Sequence, residues 1–103
     1  MQTLFLFLAL IMNFSNLKFE EFQETGAHSG VNALVFFNNG YGASVVKSNF
    51  SYGGKRGLYE LAVIKGNQDD WEINYKNPIT GDVLGYLTEQ DVEEYLKRIE
   101  AMV

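Results

Sequence analysis

Residues 31–64 carry three apolar runs in succession, VNALVFFN, YGASVVKSNF and LYELAVI, and Asn39-Gly40 joins the first two. This dipeptide suits a two-residue hairpin turn, whose central residues both take positive φ; glycine does so freely and asparagine with little strain. The spacing predicts Asn38 opposite Tyr41, Phe37 opposite Gly42, Phe36 opposite Ala43, Val35 opposite Ser44 and Leu34 opposite Val45. Gly42 would then leave room for the Phe37 ring to lie across its neighbour. A slip of one residue carries Leu34 and Phe36 to the other face, so turn and apolar pattern together specify a register.

The first run is apolar on both alternating sets, which predicts a central strand covered on both faces. Residues 51–57, SYGGKRG, turn the chain, and LYELAVI supplies a third strand. Residues 71–75, WEINY, alternate as an edge strand does, with Trp71, Ile73 and Tyr75 expected inward and Glu72, Asn74 and Lys76 outward. Asn77-Pro78 ends the sheet, because proline cannot donate to a ladder. Residues 79–87 then read as a tight connection bent at Gly81 and Gly85.

The helix start is the most explicit local signal. Thr88 is placed as N-cap with Asp91 at N3 in a capping box, and Leu87 can staple onto Val92. Val92, Tyr95, Leu96, Ile99 and Met102 make one apolar stripe, and a helix this short must rest that stripe on the sheet to persist. Glu89 and Asp91 face the positive end of its dipole, Lys97 and Arg98 the negative end.

Upstream the pattern is less decided. Residues 16–22, NLKFEEF, fit strand and helix spacing equally, and QETGAHSGVN reads as a loop. Residues 3–12, TLFLFLALIM, are strongly apolar but too short to cross a bilayer, which takes about 20 residues. As a secretory segment the run lacks a preceding Lys or Arg and a following small-x-small site. Met12 stands where ordinary polar sequence resumes, so residues 1–12 read as an extension from a mis-assigned start. A weak signal or anchor and a docked core helix remain the alternatives. Residues 13–103 form a single α+β domain of modest size.

With 13 acidic and 8 basic residues the net charge is −5, which counts against a nucleic-acid reader with its usual basic face. Cysteine is absent, so disulfides, thiolate metal sites and thiol nucleophiles are excluded. His28, the single histidine, lies in a loop without a second ligand nearby and reads as a solvated side chain. Asp69, Asp70 and Glu72 lack the further oxygen ligands that calcium needs at loop spacing. The acids form no pair placed for general acid/base work, and the hydroxyls have no base beside them. No catalytic residue, metal site or cofactor is therefore assigned.

The best functional candidate is Tyr52, Gly53, Gly54, Lys55 and Arg56, a glycine-rich turn that could present backbone N–H groups and two cations to a phosphate or an acidic partner. It is not a GxxxxGK[ST] loop, and a solvated turn is the plainer reading. Asn13-Phe14-Ser15 and Asn49-Phe50-Ser51 fit the glycosylation acceptor pattern, meaningful only in a eukaryotic secretory setting.

Four ordered blocks carry a resemblance: residues 39–46 (NGYGASVV), 52–54 (YGG), 57–63 (GLYELAV) and 82–89 (DVLGYLTE). Across about Phe19 to Ala101 the chain resembles a family of small uncharacterised proteins encoded by tailed bacteriophages. The resemblance implies a host bacterial cytoplasm, a role in phage–host biology, and a start near Met12 without the apolar leader. Export or membrane association through residues 1–12 is the alternative location. It carries over no activity and no site residue.

The expected fold is α+β, a four-stranded antiparallel β-meander with the C-terminal helix packed on one face. The other face would stay partly bare, with Val35, Phe37 and Val46 together on it as an interface. The leading expectation is a non-enzymatic protein-interaction module that binds a host or phage protein or forms a homodimer. The alternative is an accessory nucleic-acid or phosphate-binding protein working through Lys47, Lys55, Arg56 and Lys65.

Overall fold

In the computed structural model, which describes residues 13–23, 26 and 29–103, the central hairpin turns through three residues, not two. Phe37 N–H donates to Tyr41 O at 2.8 Å and Gly40 N–H to Phe37 O at 3.2 Å, leaving Asn38, Asn39 and Gly40 as the loop. Only Gly40 takes positive φ, at 87°. Asn39 is drawn elsewhere: its side-chain amide donates to Ile99 O at 2.9 Å, Glu100 O at 3.2 Å and Met102 O at 3.0 Å. It thus ties the hairpin loop to carbonyls of the last helical turn and of Met102 just beyond it. Its Oδ1 accepts from Tyr41 N–H at 3.0 Å.

The register therefore differs from the expected one by a residue: Leu34 faces Ser44, Val35 faces Ala43 and Phe36 faces Gly42. Gly42 serves close backbone approach, since a Cβ there would come within 2.1 Å of Val35 O.

The fold is α+β. Strands β1 (Glu20–Gln23), β2 (Ser29–Phe36), β3 (Tyr41–Lys47), β4 (Tyr59–Asn67) and β5 (Asp70–Ile73) follow one another as an antiparallel meander. A sixth, β6 (Leu84–Leu87), pairs with the first half of β4 while β5 takes the second half. The expected meander is thus present, widened by two strands and curled into a half-barrel. The undecided segment around residue 20 is strand, the expected loop after it is partly strand β2, and the expected connection before the helix is partly strand β6. Residues 1–12 and His28 lie outside the described residues.

Helix α1 (Glu89–Glu100) packs on the face that carries Ala43, Val45, Tyr59, Leu61 and Val63, burying Val92, Leu96 and Ile99 among them. The pairing that sets Val35 opposite Ala43 puts Val35 and Phe37 on this same side, packed against the core. Val46 alternates to the other face, beside Asn32. The expected interface of Val35, Phe37 and Val46 is therefore divided between the two faces, because the extra loop residue shifts β3 by one position relative to β2.

The capping box forms as expected: Asp91 N–H donates to Thr88 Oγ1 at 3.1 Å and Thr88 N–H to Asp91 Oδ2 at 3.0 Å. Leu87 and Val92 are both buried in the core cluster, as a staple requires. Thr88→Ala should lower stability by about 1 kcal/mol, measurable as a drop in urea midpoint with an unchanged denaturant slope.

Candidate functional site

Two exposed surfaces concentrate side chains suited to binding. The first is the turn between β3 and β4. Ser48 organises its beginning: Ser48 N–H donates to Ser51 Oγ at 2.9 Å, and Ser48 Oγ accepts from Ser51 N–H at 3.2 Å. Gly53 follows with φ 93°, then one 3-10 turn over Gly54–Arg56, closed by Gly57 at φ 76°. Gly54 lies so close to the preceding bend that a Cβ would sit 1.6 Å from Ser48 O. Gly85 on β6 also approaches Tyr52 closely, its own Cβ position being 2.4 Å from Tyr52 Cβ.

These glycines serve packing, and the turn's backbone donors are largely engaged. Tyr52 N–H donates to Glu60 Oε1 at 2.9 Å, Gly54 N–H to Ser51 O, Arg56 N–H to Gly53 O and Gly57 N–H to Gly54 O. The expected cradle of backbone N–H groups for a phosphate is therefore not assembled, because the turn closes on itself. Its side chains do project: Lys55 and Arg56 are exposed, and Phe50 and Tyr52 are 65% and 59% accessible.

Tyr86 joins them from β6. Tyr86 N–H donates to Tyr52 O at 3.1 Å, and the Arg56 guanidinium stands 5.9 Å from the centre of the Tyr86 ring. Its φ of 58° is the one positive value at a non-glycine residue among the described residues. An aromatic residue held there stores backbone strain. Periodicity gave no sign of Tyr86, since the segment reads as a connection; the neighbouring Gly85 was the available hint.

Of the four cations expected to act together, Lys47 lies at this end, its Nζ 5.0 Å from the centre of the Tyr59 ring. Lys65 is paired with Tyr41 at the far end of β4, six residues from Tyr59 or about 20 Å along the strand. Its Nζ stands over the Tyr41 ring at 5.1 Å.

The second surface is β5. Ile73 faces Ile64 and Trp71 faces Gly66, which places both on the side of the sheet away from α1. Trp71, Ile73 and Tyr75 were expected inward, yet they are 37%, 39% and 55% accessible. The helix covers the opposite face, and β5 pairs on one side alone, so its apolar set remains at the margin. Further along the same face the β4–β5 turn curls over the sheet, and Gln68 joins Lys18, Glu20, Asn32 and Leu34 around a cavity of about 230 Å³.

Among the described residues, no three His, Cys, Asp or Glu side chains are grouped to hold a metal ion. Comparison with protein-family models, with curated proteins and with solved structures finds no match for this chain. Its function is accordingly read from its own two surfaces.

Proposed function

We propose that the protein is a non-enzymatic protein-interaction module that receives its partner along β5. The observation that carries this reading is the row of exposed large apolar side chains Trp71 and Ile73 on β5, a strand with one free edge, continued by Tyr75 two residues beyond its end. An edge of that kind accepts an added strand through its backbone, while alternate side chains supply specificity. Tryptophan and tyrosine at such positions are the usual anchors of binding energy. The resemblance to tailed-bacteriophage proteins makes a host or phage protein in the bacterial cytoplasm the expected partner, with a second copy of the chain as the other candidate.

The nucleic-acid reading through Lys47, Lys55, Arg56 and Lys65 has less support. Lys65 stands at the other end of β4, and the net charge of −5 opposes a polyanion.

The test pairs light scattering on the purified chain with quantitative capture of its partner from infected host lysate. Trp71→Ala combined with Ile73→Ala should weaken the captured complex, or the dimer, by roughly 100-fold or more. Undiminished association of that double variant would rule out β5 as the docking edge.

A further inference from the structure

Residues 70–76, DWEINYK, read outward in both directions from Ile73 as a set of mutually attractive partners. When this strand lies antiparallel against a second copy with Ile73 opposite Ile73, Trp71 meets Tyr75 and Asp70 meets Lys76, on both sides of the centre. Glu72 then meets Asn74, so no two like charges stand opposite each other. Aromatic pairs and opposite charges set directly across an antiparallel ladder are stabilising, and like charges there are destabilising.

The backbone turns the right groups outward for that register. Asn74 N–H donates inward, to Val63 O at 2.8 Å. Backbone groups alternate between the two sides of an antiparallel strand, so those of Trp71 and Ile73 point to the open side. Gly66, which faces Trp71, sends its own N–H the other way, to Gly40 O at 3.0 Å, as that alternation requires. Two copies of Ile73 set opposite one another would exchange both of their N–H···O bonds about a two-fold axis. Beyond this point the chain bends, with Lys76 N–H taken by Asn74 Oδ1 at 3.1 Å, so Tyr75 and Lys76 contribute through their side chains.

Slipped registers that keep the same groups opposed are poorer. Centring on Glu72 sets that carboxylate against its own copy, and centring on Asn74 leaves Trp71 opposite Asn77 and Asp70 opposite Pro78. The other outer strand, β1, carries Glu20 and Glu21 with no cation, so it has no comparable match to its own copy.

We infer that the occupant of the β5 edge is a second copy of this chain, paired antiparallel through β5 about Ile73. The inference rests on the reading of β5 as a docking edge and selects one of the two occupants which that reading allows. The pairing uses one patch twice and closes on itself, as the interface of a two-fold dimer must. It joins two six-stranded sheets edge to edge, with Trp71 and Ile73 of both copies side by side on the face away from α1. A host or phage protein would then reach this strand only in competition with the dimer.

The chain contains no cysteine, so single substitutions make crosslinking unambiguous. Under mild oxidation Ile73→Cys should give a disulfide-linked dimer, since hydrogen-bonded partners stand about 5.5 Å apart at Cα, within disulfide reach. Glu72→Cys, whose counterpart lies two positions along the partner strand, should crosslink far less. Charge reversal supplies the second arm, read by light scattering over a concentration series. Asp70→Lys and Lys76→Asp should each weaken the homodimer by about tenfold or more, and mixing the two variants should restore association because each then meets its complement. Crosslinking as ready through Glu72→Cys, or no gain on mixing, overturns the inference. So does a chain that stays monomeric at its highest soluble concentration; if Trp71→Ala with Ile73→Ala still weakens capture from lysate, the docking edge stands with another occupant. A dimer untouched by that double substitution overturns the inference and the reading of β5 together.

Discussion

Gly54→Ala is expected to destabilise the domain by about 3 kcal/mol, at the upper end of the cost of forcing extra atoms into a packed site. The Cβ would lie 1.6 Å from Ser48 O and 2.6 Å from Ser51 Oγ, and the first of these is backbone that cannot rotate away. Relief requires the bend at residues 48–51 to open, which breaks the reciprocal Ser48–Ser51 hydrogen bonds. The contact of Tyr52 with Tyr86 depends on that bend, so the variant should also disturb the pairing of the turn with β6. Gly40→Ala is the informative contrast. Its φ of 87° disfavours alanine, but nothing lies within 4 Å of the added carbon, so the expected cost is only about 1 kcal/mol. Urea denaturation of the two variants checks the pair, and equal midpoints would refute the close-approach argument.

Leu96→Ala should cost about 2–5 kcal/mol. Leu96 is fully buried in the cluster that joins α1 to β3 and β4, so truncation leaves a cavity where the helix holds the sheet. Domains are commonly stable by about 5–15 kcal/mol, so this one substitution removes a large share. Thermal denaturation should show the midpoint fall by 10 °C or more on the usual scale of about 4–8 °C per kcal/mol. Leu96→Met, which keeps the volume, should cost less than about 1.5 kcal/mol. Similar midpoints for the two variants would mean that the helix contributes little to holding the fold together.

The contrast between Thr88 and Asn39 shows how far local chemistry reaches. Thr88 and Asp91 are three residues apart and satisfy one another's backbone, so their role needs nothing beyond the helix they start. Asn39 also looks local, the first half of a turn dipeptide, yet its amide binds carbonyls 60 and more residues away. That long-range demand selects the three-residue loop and with it the register. Val35 and Phe37 therefore share one face while Val46 lies on the other, where a two-residue loop would place all three together. Trp71, Ile73 and Tyr75 show a different limit: alternation names two faces without saying which one a helix will cover, and these three stay exposed.

The two exposed surfaces are legible in the sequence in unequal measure. Lys55 and Arg56 stand out in sequence because glycines flank two adjacent cations, and both are exposed. Tyr86 was invisible, since its left-handed backbone and its place beside Tyr52 arise only when β6 meets the turn.

Interactions between residues close in the chain needed only the sequence: the succession of antiparallel strands, the capped C-terminal helix and its apolar stripe. Each is set by backbone geometry or side-chain period over a few residues. The tertiary structure decided the register of the central hairpin, the addition of β1 and β6, and which apolar residues stayed outside. Those outcomes depend on hydrogen bonds and packing between segments distant in sequence, whose partners are determined only once the chain has closed around its core.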